Sequence, residues 1–193
     1  MRKTFIILSV ILLLGGCFSA PAKKYFQLSL GDMKAPSTKT LDKTLFVERI
    51  EVEELYDDFR IVYRLSPYEV NYYSYDFWAE KPSRLIRDSL FHFLSEGRLF
   101  KTLTLESIKS EPDFALKTRI YRIEEVDEKH AWFARLAMDL EIIDFKSGET
   151  IAVRRFDRSE ALASKDVAEL PAAVSKILRE ELEKLIQEII AKN

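Results

Sequence analysis

The stretch Trp132-Phe133-Ala134-Arg135-Leu136-Ala137-Met138-Asp139-Leu140-Glu141-Ile142 decides the fold. Every second residue from Trp132 to Ile142 is apolar, while Arg135, Asp139 and Glu141 point the other way. That is the period of a strand with one covered face. Upstream, Phe114 to Val126 is long and alternating; downstream, Lys146-Ser147-Gly148-Glu149 turns the chain and Thr150 to Phe156 returns. The three segments predict an antiparallel meander.

A sheet with one apolar face needs a cover. The end of the chain supplies one, a helix of about 21–25 residues with Leu170, Val174, Ile177, Leu178, Leu182, Leu185, Ile186, Ile189 and Ile190 on one side. Asp166 followed by Glu169 reads as a capping box at its start, where Pro171 is tolerated. A second helix opens at Lys81-Pro82-Ser83, buries Leu85, Ile86, Leu90, Phe93 and Leu94, and ends at Gly97.

Before that helix, Tyr25 to Leu30 and Leu45 to Val52 read as strands, separated by a loop from Gly31 to Lys43. Phe59 to Leu65 alternates, with Phe59, Ile61, Tyr63 and Leu65 opposite Arg60, Val62 and Arg64, and Ser66-Pro67 turns it into Tyr68 to Tyr73. Leu99 to Ser107 fits either a short strand or a loop. The fold class expected is therefore α/β in the α+β sense: a mixed, largely antiparallel sheet with two main helices packed on it.

At the start, Arg2 and Lys3 precede an apolar run from Phe5 to Leu14, and Leu14-Gly15-Gly16-Cys17 follows. A basic segment, a short apolar segment and a small-residue cleavage site make a secretory signal, too short for a settled membrane span of about 20 residues. The cysteine directly after Leu-Gly-Gly resembles the bacterial lipobox. That resemblance implies cleavage after Gly16, lipid on the Cys17 sulfur and a further acyl chain, of the palmitate kind, on the new amino terminus. Two or three acyl chains hold a protein stably where one does not. The expected organisation is a signal peptide over 1–16, a lipidated tether over 17–24 and a single periplasmic domain over 25–191.

Of the 193 residues, 177 remain after residue 16, enough for one domain with a substantial core. The formal charge of −2 includes Arg2 and Lys3; without them 28 basic residues face 32 acidic ones, a net −4. This argues against a nucleic-acid partner, which needs a basic footprint. Cys17 is the single cysteine, so no intrachain disulfide can form.

Chemistry-bearing patterns are sparse. His92 and His130 have no neighbour at metal-ligand spacing, and no nucleophile elbow, phosphate loop or dinucleotide fingerprint occurs. The acidic pairs Glu53-Glu54, Asp57-Asp58 and Glu124-Glu125 read as solvated positions whose carboxylates point apart. No catalytic residue, metal ligand or cofactor beyond the covalent lipid is expected.

One anomaly stands out. Tyr63, Tyr68, Tyr72, Tyr73, Tyr75, Phe77 and Trp78 crowd into sixteen residues, which hold five of the eight tyrosines. Such a cluster packs either under the first helix or against a partner, because aromatic residues bring large contact area at small entropic cost. As a partner surface the residues are Tyr68, Tyr72, Tyr73, Tyr75 and Trp78.

The same region resembles the ABC-type transport auxiliary lipoproteins of the paraquat-inducible protein C type. The likeness lies in Tyr25-Phe26-Gln27-Leu28, Ile61-Val62-Tyr63-Arg64, Tyr68-Glu69-Val70 and the run from Tyr72 through Trp78-Ala79-Glu80 to Pro82-Ser83-Arg84-Leu85. It extends over about residues 24–191. The resemblance implies a lipid-anchored periplasmic subunit, without catalytic residues, that serves a lipid transporter built from an ATPase, a permease and a mammalian-cell-entry (MCE) domain protein. A homo-oligomer and bound lipid are further partners it leaves open. This chain departs from many relatives in the charge on its last helix, at Lys176, Arg179, Glu180, Glu181, Glu183 and Lys184. Phe18, rather than aspartate, after the cysteine favours the outer membrane. The alternatives are a free-standing lipid-binding lipoprotein and a structural envelope lipoprotein.

Overall fold

The structure, a computed structural model, describes residues 21–32, 40–106 and 111–192. The signal over 1–16, Cys17 and Phe18 lie outside the described residues, as do 33–39 within the first loop and Ser107.

The organising strand is β7, Phe114–Glu128, which pairs antiparallel along its whole length with β8, Ala131–Asp144. β8 in turn pairs with β9, Thr150–Leu162, which runs six residues beyond the segment predicted. On its other side β7 is lined in succession by β2 (Leu41–Val47), β3 (Glu51–Val52) and β4 (Arg60–Ser66), all parallel to it. β4 makes a hairpin with β5, Glu69–Trp78; β1, Lys24–Phe26, lies parallel beside β5, and β6, Phe100–Thr104, parallel beside β2. The mixed α+β sheet is as expected, with the long ladders antiparallel and the short ones parallel.

The two helices are α1, Pro82–Gly97, and α2, Leu170–Lys192. Leu85, Ile86, Leu90, Phe93 and Leu94 of α1 are buried, as is the α2 stripe from Leu170 to Ile189. α2 lies on β8 and β9, where Ala134, Leu136, Met138, Leu140 and Ile142 are closed from solvent. The two helices meet where the Arg179 guanidinium stands 5.8 Å from the centre of the Phe93 ring. Burial of one such aliphatic side chain is worth about 1.5–3 kcal/mol, so this shared apolar face holds the layers together.

Several local expectations change. The first strand is three residues long, and the second divides into β2 and β3 so that each can meet a different stretch of β7. The ambiguous segment after α1 is the strand β6. Ile190 lies on the exposed side of α2, beyond the edge of the buried stripe. Gly97 is the last residue of α1, and Arg98, not glycine, takes the left-handed backbone at φ 48°.

The helix starts also differ. Asp166 accepts from the Ala168 N–H, but it caps a short 3-10 turn, Val167–Glu169, ahead of α2. Glu169 turns away from it to accept from Ala163 and Ser164, so no reciprocal capping box forms. At α1 the Ser83 N–H is met by Asp57, from another loop, at 3.1 Å.

Arg87 ties α1 to the sheet. Its guanidinium donates to the carbonyls of Val47 (2.8 Å), Glu48 (3.0 Å) and Leu105 (2.7 Å). Among the described residues no helix is long and apolar enough to cross a membrane.

Candidate functional site

The position of the site follows from one pairing. β4 runs parallel to β7, with Tyr63 beside Glu125 and Arg64 beside Val126, and each strand then enters a hairpin. The β4–β5 turn at Pro67-Tyr68 and the β7–β8 turn at Lys129-His130 therefore project from the same end of the sheet. Between them lies an open groove of about 760 Å³, lined by Arg64, Leu65, Pro67, Arg122, Val126 and Arg135, with Lys129 and His130 at its rim. Its volume is within the range of about 300–1,000 Å³ usual for ligand sites.

A β-bulge decides which side chains face it. β7 carries one extra residue, Tyr121, between the pairs Ile120–Met138 and Arg122–Ala137. Past it the strand alternation is reset, so Ile123 and Glu125 continue the helix-covered face while Arg122 and Glu124 face the groove side. Glu124 and Glu125 thus point apart, as adjacent strand residues must, but both are fully closed from solvent. The expectation of a solvated pair is wrong. Each carboxylate is instead held by partners from the β4–β5 region.

Glu124 accepts from the Tyr56 hydroxyl at 2.8 Å and from Arg64 Nε at 2.9 and 3.0 Å; Arg64 Nη2 also donates to the Tyr56 oxygen at 3.0 Å. Tyr56 belongs to the 3-10 turn Glu54–Tyr56 and is itself buried. Burial and the Glu124 carboxylate push the Tyr56 hydroxyl up to about 12. The hydrogen bond to Glu124 holds Arg64 firmly charged. On the other face Glu125 accepts from the Tyr73 hydroxyl at 3.0 Å. Burial raises the Glu125 pKa above the usual carboxylate value, and burial beside that carboxylate raises the Tyr73 hydroxyl.

The groove floor is cationic. Arg135 makes a two-point contact with Asp157, at 2.7 and 2.7 Å, and Arg122 shares the same carboxylate at 3.3 Å. Arg135 holds the Asp157 carboxyl below its usual range. Arg64 and Arg135 stand close enough to repel. Counting Lys165, which pairs with Asp127, the groove and its partners hold five cations (Arg64, Arg122, Arg135, Lys129, Lys165) against four carboxylates (Glu124, Asp127, Glu128, Asp157).

The predicted aromatic surface is divided by the fold. Tyr68, at the hairpin tip, is 97% exposed, with Leu65 also exposed beside it. Tyr75 is exposed on β5. Tyr72 is half-buried under the Arg60 guanidinium, 4.1 Å from its ring centre, and its hydroxyl donates to the Leu55 carbonyl. Tyr73 packs on Tyr63 with ring centres 4.8 Å apart and is spoken for by Glu125. Trp78 is 1% exposed and belongs to the core, so it is not part of any surface. Tyr25, which the aromatic cluster did not include, joins the exposed edge by stacking on Phe77 at 5.6 Å. Cys17 lies outside the described residues.

Sequence reasoning missed the Glu124–Arg64–Tyr56 group, and the signal that could have found it was a charge inside the longest strand. Glu181 was missed likewise. It is 2% exposed and bonded by Arg154 and Arg158 of β9 and Lys184 of α2, so it lies beneath the helix rather than on its surface.

Comparison with known proteins places this arrangement. Residues 26–185 match the family model of the ABC-type transport auxiliary lipoprotein component. Among solved structures, protein XCC0632 from Xanthomonas campestris is 17% identical with a TM-score of 0.74, covering 88% of this chain and 97% of its own. A structure described as an uncharacterized protein is 16% identical with a TM-score of 0.69, covering 88% and 99%. These two share the fold. The PelC dodecamer from Paraburkholderia phytofirmans is more distant, 12% identical with a TM-score of 0.45, covering 88% and 92%. A search of the curated proteins found no match. The family match runs from β1 through most of α2, and on it the chain belongs to the ABC-type transport auxiliary lipoprotein family.

Proposed function

We propose that the chain is a non-catalytic accessory subunit of an ABC transporter that moves lipid together with an MCE-domain protein. It is held by lipid on Cys17 at the periplasmic side of a membrane, the outer membrane by the residue at Phe18. Residues 1–16 are removed as a signal, 17–24 form the tether and 25–191 the working domain. The observation that carries this reading is the family match over residues 26–185. The partner surface it supports is the β1–β5 edge, where Tyr25 and Tyr75 are exposed and Tyr72 is braced by Arg60. Aromatic side chains held this way have little rotamer entropy left to lose on docking.

The test is co-purification with the MCE-domain protein. Tyr25→Ala with Tyr75→Ala abolishes it while leaving the thermal melt within a few degrees of the parent, since both side chains are exposed. Retention of the partner by this variant refutes the edge as the docking surface. The groove favours a second reading, a free-standing lipid-binding lipoprotein. Native mass spectrometry showing stoichiometric lipid on the isolated chain selects that reading instead.

A further inference from the structure

The direction of β1 says which end of the molecule meets the membrane. β1 is parallel to β5, with Lys24 beside Asp76 and Phe26 beside Trp78. β5 begins at the Pro67-Tyr68 turn and runs away from it, so the chain preceding Lys24 comes from the two-hairpin end. β5 is bulged against β4, which covers the rise from Glu69 to Asp76 in five residues, from Ser66 to Ile61, while seven residues separate Cys17 from Lys24. At about 3.3 Å per residue the first is about 17 Å, and the second gives the tether a reach of at most about 23 Å. A lipid on Cys17 can therefore reach the hairpin tips, but not the Lys146–Glu149 turn at the opposite end, which lies beyond Asp144, eight β8 residues and about 26 Å from Leu136 at the level of Lys24.

We infer that the two-hairpin end rests on the surface of the membrane that holds Cys17, with Tyr68, Leu65 and Pro67 at the headgroup level and the cationic groove over anionic headgroups. The inference rests on the lipid-anchor reading of Cys17. Its chemistry is that of an interfacial contact: an almost fully exposed tyrosine with an exposed leucine beside it, as at membrane–water boundaries. The groove's one-charge surplus, five cations against four carboxylates, matches a surface of anionic phosphate groups. Lys129 is the cation that supplies it, since Arg64 is taken by Glu124 while Arg135 and Arg122 share Asp157.

The experiment uses the full chain, processed in cells and reconstituted into vesicles of phosphatidylcholine and phosphatidylglycerol. With Cys17 acylated, Tyr68→Cys or Lys146→Cys supplies the single thiol for a fluorophore, and nitroxide-headgroup lipid is the quencher. The expected result is quenching several-fold stronger at Tyr68→Cys than at Lys146→Cys, and weaker at Tyr68→Cys when Lys129→Glu is added. Equal or reversed quenching overturns the orientation, and no effect of Lys129→Glu overturns the headgroup contact. A disulfide between two Tyr68→Cys chains marks the tip as a contact between copies and also overturns it. The parent chain separates the two levels of failure. If it floats with vesicles and takes no label, Cys17 is acylated and only the orientation is at stake; if it takes label and stays in solution, the anchor reading fails and carries the orientation with it.

Discussion

Removing Arg64 should do more harm than removing the carboxylate it holds. In Arg64→Ala, Glu124 stays fully enclosed with the Tyr56 hydroxyl as its remaining bonded partner, having lost two charge-assisted contacts at 2.9 and 3.0 Å. Stripping one partner from a buried pair costs about 3–5 kcal/mol. In Glu124→Ala the orphaned Arg64 is 17% exposed and can turn toward groove water, so the loss falls to about 2–3 kcal/mol. Replacing both together, Arg64→Met with Glu124→Leu, in a Tyr56→Phe background that leaves no buried hydroxyl unpartnered, removes the desolvation cost along with the attraction and should lie within about 1–2 kcal/mol of the parent. The assay is urea unfolding of all three variants beside the parent chain. With a slope of about 1–3 kcal/mol per molar urea, Arg64→Ala moves the midpoint down by about 1–5 M. A double variant as unstable as Arg64→Ala, or an Arg64→Ala shift under about 0.5 kcal/mol, refutes the claim that the pair acts as one unit.

Other outcomes follow from the same contacts. Glu125 has a raised pKa in the folded state, so its contribution to stability is full below about pH 4, near the unfolded carboxylate value, and is lost as pH rises through the folded value. Glu125→Gln, which keeps an acceptor for Tyr73, should flatten that part of the stability–pH curve and raise stability at neutral pH, and an unchanged curve refutes it. Arg87→Ala leaves the Val47, Glu48 and Leu105 carbonyls without their donor and should cost about 2–3 kcal/mol in chemical unfolding. Gly31→Ala should lower stability by about 1–2 kcal/mol, because φ there is +64° and the new Cβ would sit 3.0 Å from the Arg179 guanidinium that binds the Leu30 carbonyl; a neutral thermal melt counts against the strapping of this segment to α2.

What the sequence determined on its own is whatever repeats within one element. The β8 stripe, the apolar side of α1 and the α2 stripe up to Ile189 are periodic, and each is buried as its period requires. The turn at Lys146–Glu149 was equally legible, because Asp144 and a left-handed Gly148 make it locally. The likeness of the tyrosine-rich stretch to the auxiliary lipoproteins was also readable from residues close together in the chain.

Tertiary structure alone decided which strands are neighbours and therefore what any polar residue meets. The bulge at Tyr121 shifts the alternation by one, which no count along β7 reveals, and so assigns Glu124 and Glu125 to their faces. A charge in a strand reads as solvent-facing until its counter-charge is known, and Arg64 lies sixty residues from Glu124. Trp78 reads as a surface aromatic among tyrosines until the core closes around it. The end of the molecule that carries both hairpins exists because β4 and β7 run in the same direction, and that parallel pairing is a long-range choice with no local signature in either strand.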